Sequence, residues 1–447
     1  MDKNKSIGFG IRGWLLIIVM FLGFFTFQTF TNYPLNILAD FYGGSQRVAL
    51  LLTAGTLIGT VIQIILSRFI GRIHSVKKVA AVFGILAIIF AWLVAALPLN
   101  MLSLWYVAYF GVNLTVTIYA LFFLSIIAGQ WFPRRKGTVM GVTTIAYPVC
   151  NGVIGFFATA VYAPLNNGGT APAIFTSFLP FLIVGSIGYI MFLAFITDYP
   201  EQCGAYRDND KSFTPEIAKQ MMEEEIENKR TTVWTTGHIF ANRDFWCIAV
   251  VCGLILMAAI GAMTQSSTII ASFPNLNYTI IMMVIALFGA IGSWLLGVLD
   301  TVFGTKKSML ICTVLMVISG ILGVVACNTG TAALVVVSLV LLAMFMGASS
   351  NYTVSAAVQY WRREDFASVF ACVNPIANIF NAFAPTVTAM LLASVLGVTS
   401  VFIFITISGV IGLVLMFIFS AEHVKNVDDK YRTAAGKPLD DALIGRK

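Results

Sequence analysis

The sequence has 447 residues, is 59% hydrophobic and only 11% charged, and carries a net charge of +7. A soluble domain has about a quarter charged residues, so a single aqueous core is excluded and the bilayer must be the main solvent. The positive balance does not point to nucleic acid, because the basic residues lie in short loops between apolar runs and form no continuous face.

A membrane span needs about 20 mostly apolar residues. In chain order such runs fall at 14–38, 48–67, 79–97, 101–129, 138–163 and 174–197. After a polar stretch they resume at 245–271, 278–299, 308–326, 332–360, 367–394 and 398–420. The first run is too long for the apolar part of a signal peptide and no small-residue cleavage site follows it, so it is expected to stay as a helix. The polar stretch, with its Glu223-Glu224-Glu225 run, is too short and polar to bury a core and reads as a partly helical cytoplasmic linker. The expected organisation is a six-helix bundle over 1–197, a linker over 198–243, a second bundle over 244–421 and a cytoplasmic tail over 422–447. The fold class is all-α membrane protein with twelve transmembrane helices.

The charges set an orientation. With the N-terminus inside, 26 of the 27 Lys and Arg fall in inner loops, and only Arg47 lies outside. The positive-inside rule then places both termini in the cytoplasm of a multi-pass protein of the cell inner membrane. Most of the seven cysteines sit in apolar runs. Cys247 and Cys252 have no His near them in sequence, so neither a metal site nor a disulfide framework is expected, and no cofactor is called for.

The two halves repeat at an offset of 229 residues: Lys77-Lys78 falls on Lys306-Lys307, and Gln130-Trp131-Phe132-Pro133-Arg134 on Gln359-Tyr360-Trp361-Arg362-Arg363. Six is an even number, so both halves enter the membrane from the same side and the repeat is parallel. The loop from Gly297 through Asp300 and Gly304 to Lys306-Lys307 resembles the G-x-x-D-x-x-x-G-x-K/R-K/R signature of the major facilitator superfamily. Its counterpart from Gly71 and Arg72 to Lys77-Lys78 lacks the Asp. Trp131 through Lys136 to Gly141, and Tyr199-Pro200-Glu201 through Gly204 to Asp210, resemble loops of the oxalate/formate antiporter family. The resemblance implies the major facilitator fold, two parallel six-helix repeats. It also implies a central cavity lined by helices one, two, four, five, seven, eight, ten and eleven.

Polar residues recur at helical spacing in those helices, and three or four residues apart means one face. The candidate substrate-binding residues are Gln28, Asn32, Asn113, Tyr147, Asn151, Gln265, Asn351, Asn374 and Asn378. Helix eight offers little beyond Ser293, while helices three, six, nine and twelve carry little that is polar. The same amides also serve to hydrogen-bond packed membrane helices. Helix eleven adds Pro375 and Pro385, which free backbone carbonyls and suit a moving gate.

No charged or His residue lies deep in any span, so no carrier of protons stands at the midplane. Helices eight and eleven also lack the basic residues that pair with a dicarboxylate in the resembled family, which argues against oxalate. A monoanion suits amides, hydroxyls and helix dipoles. The expected function is a secondary or facilitative transporter of a small organic anion, a monocarboxylate, by alternating access, antiporter or symporter. The alternatives are a carrier of larger apolar acids or neutral solutes and, from another class, a channel or transporter-like receptor. With His only at 74, 238 and 423, in or beside loops, an enzyme is not expected. The expected partners are a small-molecule substrate and the lipid bilayer, with the chain a monomer. Two gating latches are expected on the cytoplasmic side. One joins the loop of Arg72 and Lys77 to Glu364 and Asp365; the other joins Asp300 to Arg134, Arg135 and Lys136.

Overall fold

The computed structural model describes residues 8–67, 69, 73, 75–157, 174–212, 214–230, 232–437 and 439. Among these, eleven helices are long and apolar enough to cross a membrane. Helix one runs Gly10–Tyr33 and continues as a wider π turn over Pro34–Leu38. Helix two is Ser45–Ser67 and helix three Val76–Ala96. Helix four is Leu102–Val116, a π segment Thr117–Phe123, then Leu124–Trp131. Helix five comes in two pieces, Lys136–Thr144 and Ala146–Phe157, and the expected remainder, 158–163, lies outside the described residues. Helix six is Ile174–Phe195. Helix seven is Arg243–Thr264 with Ser266–Ala271 beyond a break at Gln265. Helices eight, nine, eleven and twelve are Tyr278–Phe303, Thr305–Thr329, Phe366–Leu392 and Val398–Ile418.

Helix ten is the twelfth crossing. It is made of two short helices, Ala332–Met344 and Ala348–Tyr360, interrupted at Phe345-Met346-Gly347, where the sequence reads as one continuous run. The linker contributes a helix at Pro215–Arg230 and a short one at Thr236–Ala241, and the tail a helix at Ala421–Ala434.

Each half packs in one pattern. Helix three pairs with four and with six, two with four, and one with five and with six. Every one of these contacts recurs six helices on, as nine with ten and twelve, eight with ten, and seven with eleven and twelve. Across the halves, helix two packs on eleven and helix five on eight, again a symmetric pair. Helices three, six, nine and twelve are the most peripheral, with 33–39% of each span buried, whereas helices four, seven and eleven are 78–89% buried. The outer faces of the peripheral helices expose Ile85, Ile89, Ile187, Ile190, Ile318 and Ile411. A soluble protein does not expose such a continuous apolar surface, and lipid accounts for it.

Helix starts follow capping chemistry. Ser75 caps helix three, Asn242 helix seven and Asn277 helix eight, each side chain accepting backbone N–H groups of the first turn. Pro375 and Pro385 lie inside helix eleven without ending it. Near the second of them, Thr53 of helix two donates to Ala382 O at 2.7 Å.

Candidate functional site

The face of the molecule that carries the linker and tail is called the linker face. Toward the opposite face, Ser267 donates to Asn36 Oδ1 (3.2 Å), and Thr53 and Thr386 share a hydrogen bond (2.9 Å), so the halves touch there. Toward the linker face, Asn374 Nδ2 donates to Gln63 Oε1 (3.3 Å), and Thr138 and Thr301 share a hydrogen bond (3.1 Å). Between them is a void of about 10 Å³ bordered by Phe27, Thr31, Thr56, Ile260 and Asn381. That is room for about one water. Among the described residues the two halves therefore touch on both sides of this void.

Helices one, five and ten build the polar centre. Asn151 Oδ1 accepts from Gln28 Nε2 (3.1 Å) and from Asn32 Nδ2 (2.5 Å). Its own Nδ2 faces the sulfur of Met346, in the break of helix ten, at 3.5 Å. Tyr147 stacks on Phe24 (centroids 5.5 Å apart) and exchanges a hydrogen bond with Ser350 across the halves (3.1 Å). The kink of helix five after Thr144 lies against the helix-ten break, where a Cβ on Gly347 would collide with the Thr144 side chain. Two irregular helices meet here, and irregular backbone at membrane depth is tolerated where protein or a cavity surrounds it.

Three of the nine candidate binding residues, Gln28, Asn32 and Asn151, thus form one cross-linked group, with Tyr147 one turn away on helix five. The others stand apart from it. Asn113 Nδ2 donates to Tyr109 O within helix four (2.8 Å). Asn374 reaches Gln63, as above. Asn351 lies 3.1 Å from Ser355 Oγ. Gln265 is the break residue of helix seven. Asn378 is buried, and among the described residues its Nδ2 has no hydrogen-bond partner, nor have Gln265 Nε2 and Ser293 Oγ. Sequence reasoning missed Met346 and Ser350, since neither a thioether nor a Ser in a Ser-rich stretch stands out as polar lining.

At the linker face Asp300 is buried, accepts from Ser355 Oγ (2.5 Å) and lies against Gly137 at the start of helix five. Arg134 and Arg135 turn away from Asp300. Arg134 pairs with Asp210 (3.0 Å), Arg135 Nη1 donates to Gly8 O (3.4 Å), and the backbone N–H groups of both donate to Asp208 (3.0 Å each). The latch expected from Arg72 and Lys77 to Glu364 and Asp365 is not assembled among the described residues. Lys77 Nζ donates to Leu193 O (2.9 Å), within its own half. Glu364 and Asp365 are held by Arg432 of the tail helix (2.6 and 2.9 Å), and Asp365 also accepts from Thr232 of the linker. Arg72 lies outside the described residues.

A further ionic group joins the linker to the second half. Glu225 of the linker helix pairs with Arg207, which follows helix six (2.6 Å), and with Arg363, which precedes helix eleven (2.7 Å). Arg207 also pairs with Glu201. Burial holds the Glu201 and Asp208 carboxyls above the usual carboxylate range, against the opposing pull of nearby arginines. Burial likewise pushes Asp365 up to about 7, with Glu364 and Asp428 adding to it and Thr232 and Arg432 opposing it.

The chain was compared with known proteins. The family model described as Major Facilitator Superfamily matches residues 255–444. No curated protein matches in sequence. The structure of the proton:xylose symporter XylE bound to 6-bromo-6-deoxy-D-glucose is similar with a TM-score of 0.71 at 13% identity, covering 91% of this chain and 95% of that one. The human organic anion transporter MFSD10 (TETRAN) is similar with a TM-score of 0.66 at 12% identity, covering 91% of this chain and 99% of that one. The matched superfamily and both neighbours are transporters, not enzymes. With its twelve crossings, its repeated packing and these likenesses, this chain has the major facilitator fold.

Proposed function

We propose that the chain is a major facilitator superfamily transporter that moves a small organic monoanion by alternating access. The carrying observation is the chemistry of the centre. It is built of amides, hydroxyls and aromatic rings, and no span carries a charged residue away from its ends. A dianion would need about two cationic partners to offset its desolvation, and the sequence supplies none there. A monoanion needs only donors, and Gln265 Nε2, Asn378 Nδ2 and the Tyr147–Ser350 hydroxyls are candidates. The organic anion transporter MFSD10 is a neighbour in fold, which is compatible with this class.

In this reading the bundles 1–197 and 244–421 rock about the centre, the linker 198–243 and tail 422–447 are cytoplasmic, and a monomer suffices. Gln28, Asn32, Asn113, Tyr147, Asn151, Gln265, Asn351, Asn374 and Asn378 line the path. The second reading is a neutral hydroxylated solute. An uncharged centre admits it, and the neighbour XylE is a xylose symporter. Purified protein in liposomes separates the two. Saturable uptake of labelled monocarboxylates that generates a membrane current, or exchanges against internal monocarboxylate, supports the anion. Uptake of polyols or sugars with no carboxylate competition overturns it.

A further inference from the structure

The three amides between helices one and five have a readable polarity. Amide oxygen and nitrogen are distinguished only by their surroundings, so the network must decide. Turning Gln28, Asn32 and Asn151 over together would preserve their mutual hydrogen bonds. It would also set the Asn151 oxygen against the Met346 sulfur, 3.5 Å away, with no proton between them. A thioether accepts weakly and never donates, so the atom facing it is the N–H. Met346 therefore fixes the orientation of all three.

It follows that the two buried atoms of this cluster left without a partner, Gln28 Oε1 and Asn32 Oδ1, are both acceptors. Gln28 is fully buried and Asn32 is 2% exposed, so water does not satisfy them freely. A bare carboxylate brings no proton and would set its charge against two amide oxygens. An O–H group satisfies them. The Asn151 N–H, meanwhile, is held only by sulfur, and any ligand oxygen is the better acceptor.

We propose that the site selects an organic anion that carries its own hydroxyl beside the carboxylate, a hydroxy monocarboxylate. The hydroxyl donates to Gln28 Oε1 or Asn32 Oδ1, and a ligand oxygen displaces Met346 from Asn151 Nδ2. Gln28 and Asn32 determine specificity, and Met346 is a positioning residue. This deepens the organic-anion reading above and rests on it.

The test is calorimetric titration of the purified full-length protein in detergent with 2-hydroxypropanoate, propanoate and xylitol. The hydroxy acid is expected to bind about 10- to 100-fold more tightly than propanoate, since the analogue leaves buried acceptors unmet. Asn32→Leu should cut that preference to below about threefold, by weakening the hydroxy acid more than propanoate. Met346→Leu conserves volume and should narrow the preference too, because the amide cluster is then free to invert. Equal affinity of the unmodified protein for the two acids overturns the donor requirement and leaves the anion reading standing. Binding of xylitol and neither acid sinks the anion reading, and the hydroxy-acid proposal with it.

Discussion

Gly137, Gly141 and Gly297 set how closely helix five approaches helix eight at the linker face. A Cβ on Gly297 would lie 2.5 Å from Gly137 O and 2.7 Å from Gly141 Cα, and these are backbone atoms that cannot swing aside. Small residues spaced by four let membrane helices meet at backbone distance. Gly297→Ala should therefore part the two helices near Asp300, costing about 1–3 kcal/mol in this closely packed arrangement. The expected readout is faster alkylation, from the linker face, of a single cysteine placed at Ser355; an unchanged rate would show that the contact yields without opening. Asp365 supports a pH prediction. Its carboxyl binds its proton up to about 7 when folded, against 3.8 for a free side chain. Between about 4 and about 7 the folded state thus holds a proton that the unfolded state has released. Stability then falls as pH rises through that window. Asp365→Asn should flatten the dependence of melting temperature on pH in detergent, and an unchanged slope would assign it to other groups.

At the scale of elements, the repeat explains itself as capping. Lys77 Nζ donates to Leu193 O at the end of helix six, and Lys306 Nζ donates to Phe419 O at the end of helix twelve (2.9 and 2.7 Å). A cation at a helix C-terminus meets orphan carbonyls and the negative end of the dipole. Gln359 works at the other polarity, its Oε1 accepting from Thr305 N (2.8 Å) where helix nine begins. Lys306→Met should lower stability by about 1 kcal/mol, and Lys77→Met by less because it is nearer to solvent, both read as melting temperature in one detergent. The span ends and the repeat were legible in the sequence, because apolar run length and loop charge are local signals. The break in helix ten was not. Phe345-Met346-Gly347 contains no proline, and its interruption arises from packing on Thr144, about 200 residues away. The partners of Glu364 and Asp365 were hidden for a related reason. Arg432 stands 67 residues beyond Asp365 in a polar tail that reads alone as a solvated segment.

For the whole molecule, the question is what holds the linker face shut. The sequence placed opposite charges on the two halves there, and the structure shows a third party between them. Glu225 is 7% exposed and accepts from Arg207, in the stretch of linker that Asp208 ties to Arg134 and Arg135 of the first half, and from Arg363 of the second half, so an opening that separates those arginines must break a bond to it. Arg363 is 30% exposed, so solvent screens part of its interaction, whereas the Arg207 side is nearly closed to water at 10%. Removing one partner of a buried pair also leaves the others uncompensated, which magnifies the effect beyond that of a surface pair. Glu225→Gln should therefore shift the equilibrium toward opening at the linker face by about 1–2 kcal/mol, roughly 5- to 30-fold in population. Cys372, buried in helix eleven and kept as the sole cysteine, should report this as faster labelling by a membrane-impermeant maleimide in vesicles of known orientation. Arg363→Gln should act in the same direction. Combining the two should add little to either, because both remove one contact. Fully additive effects would mean that Glu225 and Arg363 act separately, and that the linker helix only lies across the halves without joining them.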